Sequence, residues 1–137
     1  MPIDNPQIKS RRMSCQKLFT KHLLCDLKEI DEDIYYLDKQ IESVWIQGFV
    51  KSIQIELREV LLEDRSGQIL VAIQSNYVNL SNFNVGDYVM AIGEVVIADH
   101  EITEEKIVFV EAKQLIKLES VDQLETLWQL EVNDNMK

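Results

Sequence analysis

The sequence predicts a mainly β fold, a five-stranded Greek-key barrel followed by a C-terminal amphipathic α-helix. Three observations predict it. Five strand-length apolar runs follow one another between residues 42 and 118, without the strand–helix alternation that signals a parallel sheet. The first and fourth runs carry a mid-length glycine, Gly48 and Gly93, as strands do where a sheet must bend to coil. After residue 119 the apolar spacing changes from the period of a strand to that of a helix.

Residues 1–41 form an N-terminal arm, expected to be partly ordered. Its first half is basic: Lys9, Arg11, Arg12, Lys17 and Lys21 stand against one acid, Asp4. A phosphate-contacting arm or an import signal would use such a cluster, but two adjacent arginines fit a solvated tail as well or better. From Ser14 to Leu27 the residues Leu18, Phe19, Leu23, Leu24 and Leu27 suit helical spacing, with a strand beginning near Lys17 as the alternative. Cys15, His22 and Cys25 are ligand types, yet they lack the paired close spacing of zinc sites and have no fourth member nearby, His100 being distant. Buried or idle side chains are the expectation. The acidic run Glu29–Asp33, followed by Tyr35, Tyr36 and Leu37, reads as a connector with a short apolar plug.

The regular part, residues 42–118, begins with Val44, Trp45, Ile46, Phe49, Val50, Ile53 and Ile55 in run one. Run two, Arg58 to Glu63, ends at Asp64-Arg65-Ser66-Gly67, and run three, Gln68 to Ile73, follows at once, so the two make a hairpin. Ser75 to Val85 is polar and irregular, with Leu80 and Phe83 able to plug a core. Gly86-Asp87 turns the chain into run four, Tyr88 to Val96. A polar connection, Asp99 to Glu105, leads to run five, Lys106 to Leu118. Five strands with a plugged loop between the third and fourth fit the OB-fold barrel. A β-sandwich would want about seven.

Residues 119–137 carry the helix and tail. Ser120 suits an N-cap with Gln123 three residues on. Val121, Leu124, Trp128 and Val132 share one stripe, flanked by Leu127 and Leu130 and bounded by Glu125, Gln129 and Asn133. That face is wider than one contact surface requires. Part of it should seat the helix on the barrel and part should meet a partner; spacing leaves open which side does which.

Composition narrows the function. Hydrophobic residues make up 46% and charged residues 28% of the 137, ordinary for one globular domain. The formal charge of −10 is a poor field for phosphate-backbone binding. Between Ser43 and Ala98 three basic residues (Lys51, Arg58, Arg65) face six acids (Glu56, Glu59, Glu63, Asp64, Asp87, Glu94), so the barrel is acidic. Single-strand binding wants a basic groove with stacking aromatics. Only Trp45 looks able to stack, and a strand tryptophan is more often a packing or interface anchor. No nucleic-acid-binding residue is assigned. Catalysis is not expected either: there is no nucleophile elbow, phosphate-cradling glycine loop or paired histidine motif. No cofactor or metal is assigned. No apolar run approaches the ~18 residues of a membrane span, and Met1-Pro2-Ile3-Asp4 does not open a secretory signal. With two cysteines a disulfide framework is not expected, and a reduced intracellular compartment is.

Four segments carry a resemblance. Val44-Trp45-Ile46-Gln47-Gly48, Leu62 to Gly67, Gly86 to Gly93 and the closing Leu127-Trp128-Gln129-Leu130-Glu131-Val132 resemble, in order and spacing, the RecQ-mediated genome instability protein 2 family, the small subunits of Rmi heterodimers. The likeness runs from about Glu42 to Met136. It implies a non-catalytic structural and docking subunit, without direct DNA binding, whose C-terminal helix pairs with the C-terminal OB domain of the large Rmi subunit. Through that subunit it would join topoisomerase III and a Bloom-type RecQ helicase in the nucleus. That complex dissolves double Holliday junctions, a task of homologous recombination, DNA repair and DNA replication that maintains genome stability. The resemblance also implies a site for a Fanconi anaemia M translocase peptide at the heterodimer interface, to which Lys113 would contribute. The partner-binding residues expected are thus Leu124, Leu127, Trp128, Leu130, Val132, Trp45 and Lys113. The alternative is a single-stranded DNA-binding OB subunit of a replication protein A-like or telomeric complex. Those proteins carry a phosphorylated tail and a winged helix, whereas this sequence stops at Lys137, directly after its helix.

Overall fold

Alternating side chains dictate the wall of the molecule. In the computed structural model, which describes residues 15–37, 39–99, 102–103, 105–118 and 121–135, the chain order is β1 (Cys15–Lys17), α1 (Thr20–Cys25), β2 (Leu27–Ile30), β3 (Asp33–Tyr36), β4 (Lys39–Ile41), β5 (Ser43–Gln54), β6 (Glu59–Asp64), β7 (Gly67–Ile73), β8 (Tyr88–Asp99), β9 (Lys106–Lys117) and α2 (Val121–Asn135). A 3-10 turn, Leu80–Asn82, lies between β7 and β8. The five predicted strands are β5 to β9. They pair in the order β5-β6-β7-β9-β8, and β8 returns to β5 to close the barrel. The β7–β9 contact is parallel and the others are antiparallel, a Greek key.

Closure depends on the two glycines. β5 pairs with β8 through Ser43–Phe49 and with β6 through Phe49–Gln54, so it changes partner next to Gly48. A Cβ on Gly48 would lie 2.7 Å from the carbonyl oxygen of Glu63. Gly93 sits where the β8–β9 register shifts, and a Cβ there would run into the carbonyl of Glu111 and approach the Ala112 Cα at 2.6 Å. Backbone has come where a side chain would be, the use glycine has in a coiled strand.

The barrel interior is entirely aliphatic. Val44, Ile46, Val50, Val60, Leu62, Ile69, Val71, Val89, Ala91, Val110, Ala112 and Leu115 are all buried. Leu80 plugs one opening at 2% exposure, with Phe83 packed beside it, as the apolar positions of that polar loop predict. Arg58, in the left-handed region at φ +55°, turns β5 into β6. Its Nη2 donates to the carbonyls of Ser75 (2.7 Å) and Val78 (3.0 Å), pinning the following loop to that turn.

The segment before the barrel departs from expectation. The predicted connector over Glu29–Asp33 is instead a three-stranded antiparallel meander, β2-β3-β4. Asp31 and Glu32 make its first turn, both with positive φ (52° and 72°). The plug is Tyr36, 5% exposed, while Leu37 points outward at 63%. Of the two readings of Ser14–Leu27, the helical one is met only by the short α1, and the strand, β1, ends at Lys17 instead of beginning there. β1 adds to β5 in parallel, pairing Lys17 with Trp45, and Leu18 and Leu23 complete the core.

His22 is structural. Its Nδ1 accepts the Phe19 backbone N–H at 3.1 Å, and its ring lies against Phe19 (5.5 Å) and Tyr36 (5.2 Å). Burial, helped by the Lys21 ammonium, lowers its pKa below the ordinary imidazole value. Cys25 is exposed. Among the described residues no three His, Cys, Asp or Glu side chains converge as metal ligands. Among them too, no helix is long and apolar enough to cross a membrane. Lys9, Arg11 and Arg12 of the basic arm, His100, and the Ser120 cap lie outside the described residues.

Candidate partner-docking site

Period two in β5 sends Val44 and Ile46 inward and Trp45, Gln47 and Phe49 outward. Opposite them on β8, Ile92, Met90 and Tyr88 face the same way by register. α2 lies against this outer surface and against β1. Trp128 is 2% exposed and Val132 fully buried, so these residues are the inner stripe of the helix. The Trp128 ring stacks on Trp45, with centroids 5.9 Å apart and planes at 30°. Such a pair adds about 0.5–1.5 kcal/mol to its area burial. Both indole N–H groups are buried, and among the described residues neither has a hydrogen-bond partner.

Ion pairs fasten the two sides of the helix. Lys17 Nζ lies 4.5 Å above the Trp45 ring centre and 3.1 Å from Glu131 Oε2, so one ammonium joins β1, β5 and α2. Arg65 Nη2 donates to Glu125 Oε1 at 3.0 Å, tying the β6–β7 turn to the start of the helix. Each exposed pair is worth under about 1 kcal/mol. Asp64 holds the same corner together, accepting the N–H groups of Thr20 (2.8 Å), Ser66 (2.7 Å) and Gly67 (3.1 Å). Beneath the helix, the Tyr88 hydroxyl donates to Gln47 Oε1 at 3.2 Å. Burial pushes the Tyr88 phenol far above its ordinary range, with the Glu125 and Asp64 carboxylates acting in the same direction. A cleft of about 420 Å³ opens beside these groups, lined by Phe19, Lys21, Arg65, Tyr88 and Trp128, with Asn133 at the helix.

The seven expected partner residues therefore separate into groups. Trp45, Trp128 and Val132 hold α2 to the barrel. Leu124 is half-buried at the edge of that contact. Leu127 and Leu130 are 51% and 60% exposed, so on the described surface they are the apolar part of α2 offered to solvent. Lys113 is exposed on β9, its ammonium 3.2 Å from Glu94 on β8. The spacing-based choice left open between the sides of the helix is resolved: the Trp128–Val132 side faces inward and the Leu127–Leu130 side outward. Lys17, Arg65, Glu125 and Glu131 are not among the expected site residues, because their contacts join residues far apart in the chain and leave no local pattern.

Known structures share this architecture. A chain of a replication protein A heterotrimer bound to ssDNA superposes with a TM-score of 0.66 at 14% identity, covering 88% of this chain and 93% of that one. The S. pombe Stn1–Ten1 complex gives 0.57 at 15% identity, with 80% and 85% covered. S. pombe Ten1, a telomere capping protein, gives 0.55 at 12%, with 90% and 98% covered. At these identities the likeness establishes the OB fold alone. No curated protein matches the sequence. The model of one family, RecQ-mediated genome instability protein 2, matches residues 7–136, nearly the whole chain, and the chain belongs to that family.

Proposed function

We propose that this chain is a non-catalytic docking subunit of a nuclear genome-stability complex, heterodimerising with the large Rmi subunit through the outer side of α2. Through that partner it serves a topoisomerase III and a Bloom-type RecQ helicase in dissolving double Holliday junctions. The observation that carries the reading is the division of labour on α2. Trp128 and Val132 fix the helix from beneath, which leaves Leu127 and Leu130 as a preformed apolar strip with little ordering cost on binding. Family membership supplies the partner class. The acidic barrel supports a protein ligand over phosphates. A translocase peptide at the completed interface, reaching Lys113, belongs to the same reading.

The test is capture of the large Rmi subunit by the full chain. Leu127→Asp with Leu130→Asp should weaken capture by about 2 kcal/mol or more while leaving the thermal midpoint nearly unchanged. Undiminished capture would remove the proposal.

A further inference from the structure

A second outward surface of the barrel has a different make-up. On β6 and β7, Val60, Leu62, Ile69 and Val71 point inward, so Glu59, Leu61, Leu70 and Ala72 point out. Registers across the strands align them in rows. One row reads Ser52, Leu61, Leu70, and the next reads Gln54, Glu59, Ala72, Glu111, Glu94. Leu61, Leu70 and Ala72 are half-buried. At the end of this surface Ile55, Leu57 and Tyr77 are 57%, 68% and 99% exposed. They emerge together because Arg58 bonds the β5–β6 turn to the Ser75–Val78 loop.

The charges around this aliphatic row are lopsided. Glu56, Glu59, Glu63, Glu94 and Glu111 border it. Glu94 and Glu111 are direct cross-strand partners, an arrangement that costs free energy. Lys113 (3.2 Å from Glu94), Lys51 (3.4 Å from Glu63) and the Gln74 amide (3.0 Å from Glu111) offset part of it. Arg58 is held on the Ser75 and Val78 carbonyls, so its positive charge stays at the loop end of the surface, and five border carboxylates stand against Lys51, Arg58 and Lys113. The surface is apolar along its middle and negative along its border.

We propose that this β6–β7 face docks a lysine- or arginine-bearing amphipathic peptide segment of a partner protein. Its aliphatic side chains would lie on Leu61, Leu70 and Leu57, and its cationic heads on Glu59 and Glu111. A nucleic-acid strand is disfavoured by the same carboxylates that favour the peptide, and a second copy of this face would repel itself. The site is separate from α2 and does not rest on the heterodimer reading.

The experiment is amide chemical-shift mapping on the full-length labelled chain at low salt. Three probes are added in turn: a short peptide of leucines and lysines, the same peptide with glutamates for lysines, and an oligothymidylate. The lysine peptide alone should shift Glu59, Leu61, Leu70 and Glu111, and added salt should weaken it. Glu59→Lys with Glu111→Lys should weaken it about tenfold. Leu61→Gln should do likewise without changing charge, and Leu127→Asp should not matter. Equal response to the glutamate peptide or the oligonucleotide, shifts clustered on α2, or indifference to the β6–β7 variants would overturn the proposal.

Discussion

The barrel wall and the elements laid against it are held by different physics. The inward-facing residues of β5–β9 are aliphatic, and the shape is fixed by register, a bulge and two glycines where backbones nearly touch. The flank made by β1, α1 and α2 relies instead on rings and charges: Trp45 on Trp128, His22 between Phe19 and Tyr36, Lys17 bridging Trp45 and Glu131, and Asp64 gathering three N–H groups. Close packing of branched aliphatics contains no titratable group and no ion pair for salt to screen. The flank's contacts are directional and partly titratable, so they can be loosened one at a time without opening the barrel.

Three changes test the division. The largest effect is expected in the wall: Gly93→Ala drives a methyl into the Glu111 carbonyl and should cost about 3 kcal/mol or more, seen as a lower urea midpoint for the whole chain. Next is Trp128→Ala, which empties the main anchor of α2 and should cost about 3 kcal/mol. Amide exchange protection should fall across Val121–Asn135 and persist in β6 and β7; equal loss in those strands would show that wall and flank unfold as one. The smallest is a pH effect. The folded-state pKa of His22 is depressed, so the unfolded chain takes up the proton first. Stability is then complete above the ordinary imidazole value and declines as pH falls below it. His22→Gln should flatten that decline in thermal midpoints measured across mildly acidic pH.

What the sequence makes legible follows the same boundary. The five strands show through because period-two burial, an Asp-Arg-Ser-Gly turn and two strand glycines are local signals. Their ends were the weak point, β8 running on to Asp99 past the expected Val96. The meander was missed because a run of acids resembles a solvated loop, and because its turn uses Asp31 and Glu32 at positive φ where Asn-Gly or Asp-Gly would have announced a hairpin. For α2, periodicity located the stripe yet could not orient it. Trp128 and Leu127 are adjacent in sequence, and only the position of Trp45 on the outside of β5 decides which faces in.

The stacked indoles have an optical consequence. The chain contains two tryptophans, and they stack on each other across the joint between α2 and β5, both N–H groups buried. All tryptophan emission from this protein therefore originates at that one joint. Its colour and intensity gauge whether the C-terminal helix is seated, and the gauge is built in, requiring no label.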